Sequence, residues 1–284
     1  MIPAKPMATL PTHEVTNMPP HLGDQDLWRN DRALREGVER EGGGWAGEKL
    51  AAFGKLAGAA GTFEKADQAN RHGPEIRAFD RHGMRINQVE FHPAYHDLMA
   101  LAIENEVPNF AWRHEGAGAQ VGHAALTYML NQAEGGVLCP MAMSYAVVPP
   151  LKQSPGVGDD WIPRLLSTSY DPRDFPVEQK SGATMGMFMT EKQGGSDVRS
   201  NSTGARPLGA ATGEGAEYRL TGHKFFCSAP MSDAFLTLAY ADGGLSCFLV
   251  PRWGPDGERN NLFLQRLKDK LGNRSNASSE MELQ

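Results

Sequence analysis

Between Met187 and Asp197 the chain reads Met-Phe-Met-Thr-Glu-Lys-Gln-Gly-Gly-Ser-Asp. An apolar strand that runs into two adjacent glycines, a hydroxyl and an acid can hold an anion. Gly194 and Gly195 permit close backbone approach and positive φ. Free amides in such a loop can cradle a group such as a diphosphate. Thr190 adds a hydroxyl and an amide at the strand end. An ordinary Gly-rich hairpin turn has the same grammar, so these residues alone leave both readings open.

A second element follows about thirty residues later, Gly222-His223-Lys224-Phe225-Phe226-Cys227-Ser228. It reads as a strand with two adjacent aromatics and a hydroxyl. An aromatic ring can flank a flat heterocycle; a plain core strand is the other reading. His92 and His96 stand four apart on a predicted helix, a zinc-compatible spacing. Pro93 and the lack of a nearby Cys or Glu partner favour a helix-start and packing role, and the pair does not match H-E-x-x-H. No metal site is expected. Arg266, Lys268, Lys270 and Arg274 form a small basic cluster diluted by Asp269. It can meet a phosphate-bearing tail or nucleic acid, or it can be a solvated strand edge.

The string T-E-x-x-x-G-S-D after an apolar strand resembles the flavin-contacting signature of acyl-CoA dehydrogenases. The longer Met189–Thr203 string, MTEKQGGSDVRSNST, resembles the AidB-like, alkylation-response branch of that family. REGGGW at 40–45, Glu90-Phe91-His92-Pro93-Ala94-Tyr95-His96, LCPMAM at 138–143 and LKDKLGNRSNAS at 267–278 carry the same resemblance across nearly the whole chain.

The resemblance implies an FAD-dependent oxidoreductase that acts on an acyl-CoA substrate such as isovaleryl-CoA. The cofactor-binding residues carried over are Met187, Met189, Thr190, Gly194, Gly195, Ser196, Phe226, Cys227 and Ser228. Phe226 stands where the wider family often has Trp, which leaves stacking available and changes how the flavin is tuned. Ser144 and Tyr145 fall where the family's helical domain approaches the flavin and acyl pocket; a buried helix with a tucked hydroxyl is the equal alternative. The family's base is a carboxylate of a C-terminal helical bundle, which also supplies contacts to the cofactor's adenosine end, partly across a subunit interface. No residue of this chain is assigned as that base, Glu191 and Asp197 included, so the chain alone is expected to be inactive. The same branch is associated with DNA protection, through a surface placed mainly on a later C-terminal region. A flavoprotein for DNA protection with marginal dehydrogenase activity is therefore the alternative function. The full-length protein is expected to be a homo-oligomer.

The elements that must position these residues change character near residue 180. Residues 1–25 form a Pro-rich arm (Pro3, Pro6, Pro11, Pro19, Pro20) without periodicity, expected to be extended or mobile. Asp31 can cap a helix with Leu34 and Val38 on one face, ended by Gly42, Gly43 and Gly44. A second helix uses Leu50, Phe53, Leu56 and Ala57. His92–Val107 has the clearest helical spacing, through Tyr95, Leu98, Met99, Ala102 and Ile103. Further helices are expected over Gln120–Ala133, Met141–Val147 and Trp161–Thr168.

After residue 180, short β-type runs alternate with turn residues. Strands are expected over Ala183–Thr190, around Tyr218 and Leu220, over Phe235–Tyr240 and Ser246–Val250, and over Asn261–Leu264 and Ser279–Leu283. Ala241-Asp242-Gly243-Gly244 is a hairpin signal. The expected fold is α+β and multidomain. An acyl-CoA dehydrogenase-like all-α domain over 26–180 precedes a β-barrel or β-sandwich middle domain over 181–284. The last strand runs into the chain end with no turn after it, which reads as an uncovered edge and a cut chain.

The 284 residues suffice for one large or two ordinary domains. With 40% hydrophobic and 22% charged residues the chain is globular in composition. A net charge of −6 excludes a general nucleic-acid coat, though not a local basic patch. Cys139, Cys227 and Cys247 are too far apart for a C-x-x-C pair, which fits a reducing compartment. No apolar run nears the ~20 residues that span a bilayer, and the N-terminus lacks a signal-peptide core. A soluble cytoplasmic protein with no membrane partner is expected.

Overall fold

Asp31 sits in extended backbone, and its carboxylate accepts the Leu34 amide at 2.8 Å. That cap starts the first helix of a computed structural model describing residues 9–14, 16–19 and 22–284. In the arm, Thr9–Leu10 (β1) pairs antiparallel with His13–Glu14 (β2), so part of it is a small ladder rather than a purely extended strap. Pro3, Pro6 and Pro20 lie outside the described residues.

Helices α1 (Arg32–Arg40), α2 (Gly47–Ala57) and α3 (Ala60–Arg71) follow. In α2, Leu50, Phe53 and Ala57 are buried as their spacing requires, but Leu56 is exposed on the far side of the stripe. A hairpin then interrupts the helical run, β3 (Glu75–Phe79) with β4 (Arg85–Glu90). Its Val89 joins the apolar core of the β region instead of the helical one. The mainly helical domain carries this one hairpin among its helices: on β3, Ile76 and Ala78 alternate with the more exposed Glu75, Arg77 and Phe79, a period of two.

His92 caps α4 (Pro93–Glu104), accepting the Ala94 amide at 3.2 Å, with Pro93 in the first turn. Tyr95, Leu98, Met99, Ala102 and Ile103 are all buried. The short α5 (Phe110–Arg113) precedes α6 (Ala119–Ala133), and α2, α4 and α6 share one core around Leu50, Leu98, Leu126 and Met129. Next come α7 (Leu138–Ala146), α8 (Val148–Gln153), α9 (Pro155–Gly158) and α10 (Ile162–Leu165). The helix expected over 161–168 shrinks to the single turn of α10.

From Met185 onward the chain is sheet: β5 (Met185–Thr190), β6 (Gly204–Pro207), β7 (Tyr218–Ser228), β8 (Ala234–Ala241), β9 (Gly244–Pro251), β10 (Leu262–Leu267) and β11 (Ser278–Leu283). They form a barrel-like seven-stranded sheet. The β8–β9 hairpin closes through Asp242-Gly243, with Ala241 opposite Gly244. β11 is not an edge, because it pairs with β10 on one side and β7 on the other. Its burial in Met281 and Leu283 follows from that central position. β5 runs antiparallel to β7 and parallel to β8. Among the described residues, no helix is long and apolar enough to cross a membrane.

Candidate functional site

Two faces of β5 divide its side chains. Phe188 enters the barrel core beside Cys227 and Phe235, while Met187 and Met189 pack toward α7, α8 and α10 in a cluster with Val147, Leu151 and Trp161. Met187 stands opposite Ser228 on β7, and Thr190 opposite Phe226, with a bulge between the two pairs. Residues directly opposite on antiparallel strands project to the same side. Met187, Thr190, Phe226 and Ser228 therefore share one face, away from the barrel core. Phe226 is 41% exposed there.

Cys227 does not join them. Its side chain is fully buried in the barrel core, and that burial pushes its thiol pKa up. Any contact of Cys227 with a ligand on the other face is limited to backbone. At the far end of that face burial pushes the Cys139 thiol of α7 up in pKa, and Ser228 opposes the rise. The Ser144 hydroxyl accepts the Met185 amide at 3.0 Å, locking α7 onto β5. Tyr145 stacks on His123 and Trp112 and donates to Gln120. Ser144 thus holds α7 to the sheet, and Tyr145 ties α7 to α5 and α6.

The glycine loop closes on the same strand. Neither Gly194 nor Gly195 uses the positive φ that glycine permits. Their requirement is space. A Cβ on Gly194 would lie 2.2 Å from the Ser200 hydroxyl and 2.6 Å from the Asp197 carbonyl oxygen. A Cβ on Gly195 would lie 3.0 Å from Thr190 Cγ2. Gly195 thus folds back against Thr190. The amides of Gly195 and Ser196 and the hydroxyls of Thr190 and Ser196 make no hydrogen bond with other described residues, whereas the neighbouring Ser200 hydroxyl is spent on Asp197 O at 2.7 Å. Unspent donors beside an exposed aromatic ring fit a flat cofactor with an anionic tail.

The carboxylates around this face are all engaged. Glu191, fully buried, accepts from the Ser202 and Thr203 amides and hydroxyls, from Gln193 and from Lys224 Nζ at 3.0 Å. Burial alone would raise its pKa, but these donors outweigh it and hold the carboxyl well below the usual range. Asp197 caps a short turn by accepting the Arg199 amide at 3.1 Å. Glu280 accepts from Lys268 at 2.8 Å and Arg266 at 2.7 Å, which lowers its pKa to about 2. The Lys268 ammonium also sits 3.1 Å from the Phe225 ring centroid. Lys270 donates to Asn276 O and the Ser278 hydroxyl. Three of the four basic-cluster residues are therefore used within the fold. Glu280 and the Glu191–Lys224 pair were not singled out in the sequence. The visible signal was a lysine inside an apolar strand run, since such a lysine needs a buried acid.

His92 caps α4 and His96 lies 2.7 Å from the Tyr170 hydroxyl; among the described residues no group of three or more His, Cys, Asp or Glu side chains is placed to hold a metal ion.

Comparison with known proteins agrees with this layout. The family described as the adaptive response protein AidB N-terminal domain matches residues 17–172, and the acyl-CoA dehydrogenase middle domain matches residues 186–284. The chain is 49% identical over 275 residues to the Escherichia coli (strain K12) protein named "Putative acyl-CoA dehydrogenase AidB", covering 96% of this chain and 50% of that protein. The apo-form of Bd2924 superposes with a TM-score of 0.79 at 30% identity, over 92% of this chain and 53% of that one. Caenorhabditis elegans ACDH-11 in complex with C11-CoA gives 0.78 at 25% identity, over 96% of this chain and 47% of that one. The chain thus spans about half the length of these relatives.

Proposed function

Since the chain belongs to the acyl-CoA dehydrogenase family, in its AidB-like branch, we propose that residues 185–228 form the flavin-holding wall of an FAD-dependent oxidoreductase acting on acyl-CoA thioesters. The observation that carries this reading is the set of unspent donors on Thr190, Gly195 and Ser196 beside the exposed Phe226. Thr190, Ser228 and Phe226 would hold the ring system, with Met187 and Met189 behind it. Gly195 and Ser196 would take the diphosphate through their amides, while Gly194, whose own amide is spent on Glu191 O at 3.2 Å, would line the approach. Cys227 would contribute backbone only. FAD, when bound, supplies the two-electron acceptor for the substrate's C–H bonds.

This chain's own part is to bind, orient and keep water out. Neither Glu191 nor Glu280 suits the role of base: both are held ionised and paired, so both are weak proton acceptors. The base, the adenosine-end contacts and the oligomer contacts are assigned to the part of its relatives that the chain does not span. The substrate is an acyl-CoA, as the C11-CoA complex of the related ACDH-11 suggests.

DNA protection draws no support from this chain's cluster, because Arg266, Lys268 and Lys270 are occupied internally and the net charge is −6. Amide NMR during an FAD titration tests the proposal. The Thr190, Gly194–Ser196 and Phe226 signals should move with FAD, and riboflavin should move those near Phe226 while leaving Gly194–Ser196 in place. Unchanged signals at millimolar FAD would sink it.

A further inference from the structure

β5 and β6 occupy one slot in the sheet. Both lie between β7 and β8: Thr190 is opposite Phe226 and Gly204 opposite Thr221 on β7, while Phe188 is opposite Thr237 and Gly204 opposite Tyr240 on β8. Residues 191–203 are an excursion from a single strand line. Where the chain leaves the line, β7 and β8 face each other across a gap with no strand between them.

Glu191 and Lys224 fill that gap. Lys224 comes from β7, and its ammonium donates to Leu238 O of β8 at 2.7 Å and to Glu191 at 3.0 Å. Glu191, the first residue of the excursion, receives the amides of Ser202 and Thr203, its last two residues, at 2.7 and 3.0 Å. Both ends of the loop are thereby tied to one carboxylate. Gly222 on β7 leaves room for this closure, since a Cβ there would come within 2.8 Å of the Thr203 Cα. Both side chains of the ion pair are fully buried. A buried pair of this kind does little for net stability compared with apolar residues of similar size; what it does here is close a loop.

We propose that the Glu191–Lys224 pair is a positioning device that fixes the 191–203 excursion so that the Gly195 and Ser196 amides are pre-formed for an anion. The inference rests on the flavin reading above. Neither residue touches the cofactor; both act through the loop they close. A preorganised loop spares the ordering cost at binding, and a loosened one passes that cost into affinity.

The decisive comparison is Glu191→Gln/Lys224→Met against the parent. The double variant removes both charges together, so no unpaired buried charge is left to unfold the barrel. Its melting temperature is expected to fall moderately, because the introduced glutamine offers one acceptor oxygen where Glu191 offers two and Leu238 O loses its donor. Its FAD dissociation constant, read by NMR titration, is expected to rise about tenfold. Hydrogen exchange in residues 193–201 should quicken with the β7 and β8 amides unchanged. Thr203→Val, which keeps the ion pair and removes one donor to Glu191, should give a smaller shift in the same direction if the double variant folds poorly. A double variant with parental FAD affinity and parental exchange in the loop overturns the inference alone. A parent that shows no FAD-induced shifts overturns the flavin reading and the inference with it.

Discussion

Thr190 stands directly opposite Phe226 on the antiparallel neighbours β5 and β7, and Gly195 packs back onto the Thr190 side chain. A strand-end hydroxyl, an exposed aromatic ring and a loop with free amides are thereby brought to one place by backbone register. Phe226 contributes little to the core, being 41% exposed. Phe226→Ala should therefore leave the melting temperature nearly unchanged while weakening FAD binding by about 1 kcal/mol, a several-fold change. Phe226→Trp should retain or improve affinity. An Ala variant with parental affinity would remove the ring from the site.

Gly194 and Gly195 should respond differently to an added methyl. At Gly194 the new Cβ meets the Asp197 carbonyl oxygen at 2.6 Å, a backbone atom that cannot swing aside. At Gly195 the nearest neighbour is the Thr190 methyl at 3.0 Å, which can yield by a few tenths of an ångström. Gly194→Ala is expected to cost about 1–3 kcal/mol in urea-unfolding stability or to displace the loop, and Gly195→Ala clearly less. Equal costs would mean that the loop relaxes freely at both positions.

The helical stripe of α4 and the β8–β9 hairpin were legible in the sequence because each has one period and one strong turn or cap. Tyr95, Leu98, Met99, Ala102 and Ile103 are all buried, and Ala241-Asp242-Gly243-Gly244 makes the turn expected of it. The β3–β4 hairpin was missed because its alternation is short and set among helices. The central place of β11 was illegible for a different reason: strand order is a long-range property, and β11 pairs with β7 some fifty residues earlier. The candidate site was legible as motifs only. Nothing local to Glu191 or Lys224 says that they meet, and the inward turn of Cys227 depends on a register that no single strand carries.

Glu280 gives the acid side of stability a specific signature. Its hydrogen bonds from Lys268 and then Arg266 lower its folded pKa from 4.5 to about 2. A depressed carboxylate stabilises the fold fully above its unfolded pKa and loses that contribution as pH falls through the folded value. The stability difference between the parent and Glu280→Gln should hold steady above pH 4.5 and close toward about pH 2. Thermal melts across that range measure it. A difference that persists undiminished at pH 2 would mean that the network acts through packing alone.

The chemistry of this chain by itself is the final test. Proton abstraction from an acyl thioester needs a base within hydrogen-bond reach of the substrate and free to accept. Beside the proposed flavin face, Glu191 carries its full set of donors and Glu280 is held by two cations. Asp197 is exposed and caps the turn that follows the glycines, accepting the Arg199 amide. None of the three is both free and enclosed. The purified chain, supplied with excess FAD and isovaleryl-CoA, is therefore expected to give no dye reduction above the protein-free blank, and to emerge from gel filtration without flavin absorbance. Restoring turnover should require the part of the relatives that this chain does not span. Clear turnover abolished by Asp197→Asn, with FAD-induced amide shifts retained, would show that a base lies in the loop itself and that Asp197 was wrongly set aside.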